Sequence, residues 1–174
     1  VTSTTGPTAA GRGTSIHWAQ SAGFDSFTPA AHTFDFHATI RFSATMTGQD
    51  VYIGFIPGAQ VVGQTPTTGI WVRKLTADTN WQFVSKDGTT QNVQDSLVGA
   101  NTSGQIFKVL VDSTPSAICS LFDTGWSPIG VAVPVTLSAN LPSTGQLRLV
   151  GGVRNLTGAS RTFRSSFGYQ VMSP

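Results

Sequence analysis

The sequence predicts an all-β domain, an antiparallel two-sheet β-sandwich with almost no helix. Residues 34–46 alternate apolar and polar without a fault, the period of a half-buried strand. No segment carries apolar residues at a helical spacing. The 19 Gly and 9 Pro cut the rest into pieces too short for long helices.

In chain order, residues 1–10, rich in Thr and Ser with Gly6 and Pro7, read as an N-terminal linker, and residues 11–174 as the sandwich domain. In the long alternating run Phe34, Phe36, Ala38, Ile40, Phe42, Ala44 and Met46 face the core. Asp35, His37, Thr39, Arg41, Ser43 and Thr45 face the other way. At about 3.3 Å per residue the run would span roughly 43 Å, so a bend or bulge is expected in it. The turn Thr47-Gly48-Gln49-Asp50 then leads into Val51-Tyr52-Ile53-Gly54-Phe55-Ile56, which reads as a hairpin. Ile70 to Leu75 and Trp81 to Ser85 follow, the latter joined through Asp87-Gly88 to Thr89 to Val93; an Asp-Gly pair supplies the positive φ angles of a tight hairpin turn. Further strands are expected at Ile106 to Asp112, Ala117 to Phe122, Val131 to Leu137, Leu147 to Val153 and Phe163 to Met172. Roughly nine or ten strands without crossover helices must pair antiparallel and close into two packed sheets, so a jelly roll is the expected form.

With 174 residues and 39% apolar residues, the chain has one domain's worth of core. Only 10% of residues are charged, which leaves a surface of Thr, Ser, Gly, Gln and Asn. No apolar run approaches the length that crosses a bilayer, and membrane insertion is not expected. Cys119, the single cysteine, shares a strand face with Ala117 and Leu121 and reads as a core thiol. All eight acidic residues are Asp at or before Asp123, whereas Arg148, Arg154, Arg161 and Arg164 follow. The last third is therefore basic, but no basic and aromatic nucleic-acid module is visible and no nucleic-acid partner is expected.

Catalytic sets are missing. The chain contains no Glu and no close carboxylate cluster, whereas glycosidases need paired acids across a cleft. Asp35, His37 and Ser43 share a face and supply the residue types of a hydrolase triad, but Ser43 lies roughly 20 Å along the strand from His37. His17, His32 and His37 are scattered, and one Cys does not complete a zinc site. Asp112 and Asp123 are the candidates for a calcium loop, without the ligand spacing such loops carry. Gly151-Gly152 lies inside a strand-like run and opens no helix, so it makes no phosphate loop. No metal, cofactor or catalytic residue is expected.

Contact residues are the remaining possibility. Trp71 and Trp81 sit in strand patterns and read as core or sheet face. Trp126 lies in the turn-rich Asp123-Thr124-Gly125-Trp126-Ser127-Pro128, where an exposed aromatic is placed to stack on a sugar ring. Asp123, Trp126, Arg154 and Asn155 are the candidate ligand-binding residues. Asn101-Thr102-Ser103 and Asn155-Leu156-Thr157 match the glycosylation sequon.

The succession Phe36-His37-Ala38-Thr39-Ile40-Arg41-Phe42, Tyr52-Ile53-Gly54-Phe55, Gly69-Ile70-Trp71-Val72, Asn80-Trp81-Gln82, Asp87-Gly88-Thr89-Thr90, Phe107 to Asp112 and Val153 to Gly158 resembles a concanavalin A-like sandwich. More narrowly it resembles the versions on tailed-phage virions, over about Phe34 to Val171. The resemblance implies a jelly roll on a tail fibre, head fibre or capsid decoration. It implies virion proteins of capsid or tail and a host-surface glycan as partners, and a trimer or dimer. The metal-dependent lectins of that superfamily hold their metals with Glu, Asp and His, and this chain has no Glu to match. A non-enzymatic module displayed on a virion surface, for decoration or adhesion, is the leading expectation. A carbohydrate-binding receptor domain is the alternative, and a glycan-degrading enzyme comes third.

Overall fold

The computed structural model describes residues 2–5, 13–17, 33–42, 48–56, 66–112, 116–130, 134–142, 147–156 and 161–172. They form twelve strands and no helix. These are β1 (Thr2–Thr5), β2 (Gly13–His17), β3 (Thr33–Phe42), β4 (Gln49–Ile56), β5 (Gly69–Lys74), β6 (Gln82–Lys86), β7 (Gln91–Asp95), β8 (Gln105–Asp112), β9 (Ser116–Asp123), β10 (Val135–Leu137), β11 (Arg148–Asn155) and β12 (Arg161–Met172). They pair antiparallel in two six-stranded sheets, one ordered β1-β12-β3-β8-β9-β10 and the other β2-β11-β4-β5-β6-β7. We call them sheets A and B.

The alternation in β3 is obeyed: Phe34, Phe36, Ala38 and Ile40 are buried, and Asp35, His37 and Thr39 are half-buried. The strand ends at Phe42, and residues 43–47 of the expected run lie outside the described residues. The hairpin expected between β3 and β4 does not form, because β3 joins sheet A and β4 joins sheet B. β3 pairs with the distant β8 and β12, whereas β4 pairs with β11 and with the next strand, β5. Asp87-Gly88 does link the paired β6 and β7, but only Gly88 takes a positive φ, 112°. Asp87 contributes an acceptor instead: its Oδ1 takes the N–H groups of Thr89 and Thr90, each at 2.9 Å. These bonds hold its carboxyl below the ordinary carboxylate range. The linker expected over residues 1–10 meets a strand there, Thr2–Thr5 pairing with residues 161–164 of β12. Of the expected Val131 to Leu137 strand, Val135–Leu137 is strand and residues 131–133 lie outside the described residues.

Between the sheets, Phe34 and Phe36 of β3 meet the Phe55 ring of β4 edge-on at 4.6 and 5.3 Å between centroids. Trp81 meets Phe107 in the same way at 4.7 Å. Offset edge-to-face contacts of this kind add to the burial of the rings themselves. Sheet B also buries apolar side chains on its opposite face, where Tyr52, Ile56, Trp71, Val84 and Val150 form a second cluster. Both faces of β4 are therefore buried. That explains why its sequence runs apolar without alternating.

Two glycines in this sheet are fixed by close approach. A Cβ on Gly54 would lie 2.4 Å from the Ile70 carbonyl oxygen and 2.5 Å from the Trp71 Cα, both backbone atoms. The atoms nearest a Cβ on Gly152 would be those of the Tyr52 ring and hydroxyl, at 2.6–2.8 Å. We expect Gly54→Ala to cost about 3 kcal/mol in urea unfolding and Gly152→Ala about 1 kcal/mol, because a ring can tilt and a neighbouring strand cannot. Gly152→Ala combined with Tyr52→Ala should cost less than the sum of the two. Cys119 is 1% exposed and its thiol is pushed up by burial. It should resist an aromatic disulfide reagent in the folded chain and react fully in denaturant.

Candidate functional site

Trp126 occupies a loop closed on itself at the end of β9. Asp123 Oδ1 accepts the N–H of Gly125 at 2.8 Å and of Ser127 at 2.9 Å. On the backbone, the Asp123 N–H donates to the Ser127 carbonyl and the Trp126 N–H to the Asp123 carbonyl, at 2.9 and 3.1 Å. The sequence dictates this locally: Asp favours such turns through its side-chain acceptor, and Gly125 and Ser127 leave their N–H groups accessible to it. Phe122 then bridges to Pro128, and the Ile129 N–H donates to the Leu121 carbonyl at 3.0 Å, so the chain doubles back along β9.

The loop puts Trp126 at φ 64°. A bulky residue in the left-handed region is a genuine outlier, costing on the order of 1 kcal/mol, and glycine would carry no such cost. The result is an indole 50% exposed. Its ring lies 5.5 Å from that of His37 on β3, nearly perpendicular at 70°, and 5.5 Å from that of Phe122. On the same outward face of sheet A, Lys108 Nζ pairs with Asp35 Oδ2 at 3.1 Å.

Arg154 and Asn155 belong elsewhere. They end β11 in sheet B, where Arg154 is the register partner of Asp50 and Asn155 of Gln49. The Arg154 Nε and Nη2 both donate to Asp50 Oδ2, while Asp50 Oδ1 accepts the Thr76 N–H at 2.7 Å. This ion pair fastens β11, β4 and the β5–β6 loop together. The four candidate residues thus divide between the two sheets and do not form one site. Asp112 and Asp123 stand at opposite ends of the β8–β9 pair and share no loop. Among the described residues no three His, Cys, Asp or Glu side chains gather as a metal site, and no helix is long and apolar enough to cross a membrane.

Two other places offer less to a ligand. On the outer face of sheet B, the buried Tyr52 hydroxyl has no hydrogen-bond partner among the described residues and its pKa is pushed up to about 12 by burial; Arg73 beside it pairs with Asp78 at 3.6 Å. A cleft of about 90 Å³ beside Cys119, Leu121, Ile129 and Val135 is far below the roughly 300 Å³ of small-molecule pockets. Among the described residues, the Trp126 loop alone combines exposure, a hydrogen-bonded frame and an aromatic face. His37 and Phe122 as its ring partners were not legible in the sequence. Alternation turns His37 outward, but only the β3-β8-β9 strand order brings it to the loop.

Known proteins match this chain in fold. The carbohydrate recognition domain of Emp47p superposes with a TM-score of 0.60 at 9% identity, over 99% of this chain and 88% of that one. The CBM2 module of the evolved Dit of Lactobacillus casei BL23 phage J-1 gives 0.56 at 10% identity, over 96% and 74%. Alginate lyase PA1167 from Pseudomonas aeruginosa gives 0.52 at 11%, over 86% and 68%. The fold is a concanavalin A-like jelly roll. This jelly roll spans 60% of the length of a further match, a Shewanella oneidensis MR-1 protein of unknown function. No family model matches the sequence, and no curated protein matches it.

Replacing Asp123 with Ala should free the Gly125 and Ser127 N–H groups and cost about 1 kcal/mol of stability. The fluorescence that distinguishes the native chain from Trp126→Phe should then shift to the red and become more accessible to a soluble quencher, while the core tryptophans report no change.

Proposed function

We propose that this chain is a carbohydrate-binding module without catalytic activity of its own, displayed on a phage particle. The observation that carries the reading is Trp126: an indole held half-exposed by a hydrogen-bonded loop, in a backbone conformation that disfavours it. Strain kept at an exposed aromatic is accounted for by a ligand that uses the ring. The face of an indole takes the apolar face of a sugar ring, and an immobile ring loses little freedom on binding. The fold likeness to a carbohydrate recognition domain and to a phage Dit module supports both the ligand class and the setting.

The lyase likeness supports an enzyme less well. Acid–base chemistry needs titratable groups free to face a substrate. Asp35, Asp50 and Asp78 are held in ion pairs, and Asp87, Asp95 and Asp123 in turns.

On a glycan array spanning bacterial surface polymers, the purified chain should bind saturably to a restricted set. Trp126→Ala should weaken that binding by about 10- to 100-fold with an unchanged melting temperature. Absence of binding to every glycan, or binding indifferent to Trp126, would remove the basis of the proposal. Release of oligosaccharide from a bound polymer would make the chain an enzyme, and a particle lacking the domain that adsorbs normally would refute the adhesive role.

A further inference from the structure

Arg41 and Arg164 face each other directly across β3 and β12, and both are exposed. Like charges directly opposite on adjacent strands destabilise a sheet. Sheets usually resolve such a pair with a carboxylate, yet neither guanidinium has an ion-pair partner among the described residues. On the same face Asp35 is engaged with Lys108, and Asp123 is held within its own loop.

The pair lies on the face that carries Trp126. Alternation along β3 puts His37, Thr39 and Arg41 on one side, and His37 touches the Trp126 ring. Gly104, at φ 102°, leaves the gap through which loop and strand approach. The position its Cβ would take lies 3.0 Å from the Thr124 methyl and 3.7 Å from the Arg41 Cβ. An aromatic platform and two unneutralised guanidiniums therefore border one stretch of surface. His37 and Arg41 are about 13 Å apart along the strand, a distance that an oligosaccharide spans and a single sugar ring does not.

We infer that the ligand is an anionic polysaccharide, with a sugar ring on Trp126 and an acidic substituent held between Arg41 and Arg164. This rests on the carbohydrate-binding reading above and specifies its substrate class. Guanidiniums bind carboxylate and phosphate oxygens through paired N–H donors, so uronate and phosphodiester polymers share the required chemistry.

The test compares polygalacturonate, its methyl ester and a glycerol phosphate polymer as probes of the full chain by titration calorimetry. Binding to polygalacturonate, the phosphate polymer or both is expected, and the tighter of the two identifies the acidic group. The neutral methyl ester should bind at least about tenfold more weakly than polygalacturonate. Added salt should weaken the acidic complexes and leave the ester unaffected. Arg41→Gln with Arg164→Gln should reduce acidic binding to the level of the ester without lowering the melting temperature, since a repulsive pair has been removed. Trp126→Ala should weaken both by about 10- to 100-fold.

Equal, Trp126-dependent binding of ester and acid, unchanged in the double Gln variant, would overturn this inference and leave the carbohydrate-binding reading intact. Binding to none of these probes or to any glycan would overturn both. Duplex DNA bound as tightly as polygalacturonate, through the arginines and without Trp126, would show a general polyanion surface and overturn this inference too.

Discussion

One buried hydrogen bond positions the end of the sandwich where the candidate site lies. Trp81 enters β6 of sheet B with its indole wholly buried, and its Nε1–H donates at 2.8 Å to Oε1 of Gln105, the first residue of β8 in sheet A. Gln105 in turn gives its amide N–H to the Gly99 carbonyl and takes the Asn101 N–H, at 2.9 and 3.2 Å. A buried amide is costly unless satisfied, and here its partners come from the residue that leads into β6 of sheet B and from the loop between β7 and β8. Gln105 is also the register partner of Asp123. The contact that joins the sheets thus also positions the residue that closes the Trp126 loop.

Much of this architecture was legible because a period of two is hard to imitate. Phe34 to Ile40, Ile106 to Asp112 and Ala117 to Phe122 gave their strands and core faces directly. What misled was locality. The Gly48 turn reads as a hairpin because hairpins are the commonest use of such a turn, yet it changes sheets, a choice made by partners about a hundred residues away in β11 and β12. The edge strands β1 and β2 left almost no signal, since runs rich in Thr, Ser and Gly show no apolar alternation.

The site was half legible for the same reason. The turn-rich run from Asp123 to Pro128 marked Trp126 as an exposed aromatic, and it is half-exposed; the Asp123 carboxylate closes that turn. Arg154 was singled out because its charge is conspicuous in a sparsely charged chain, but charge in a sequence does not reveal its partner. Asp50, 104 residues away, consumes that guanidinium. Arg41 and Arg164 were legible only as an outward-facing residue and as part of a basic last third, because their juxtaposition exists only in the register of β3 and β12.

The left-handed backbone at Trp126 sets fold and recognition against each other. Glycine or asparagine would fit that turn more comfortably than any large aromatic. On the proposed carbohydrate-binding reading, a lineage released from its ligand would have every thermodynamic reason to lose the indole there. The identity of this one side chain among homologous chains would then record whether a sugar ligand has been kept.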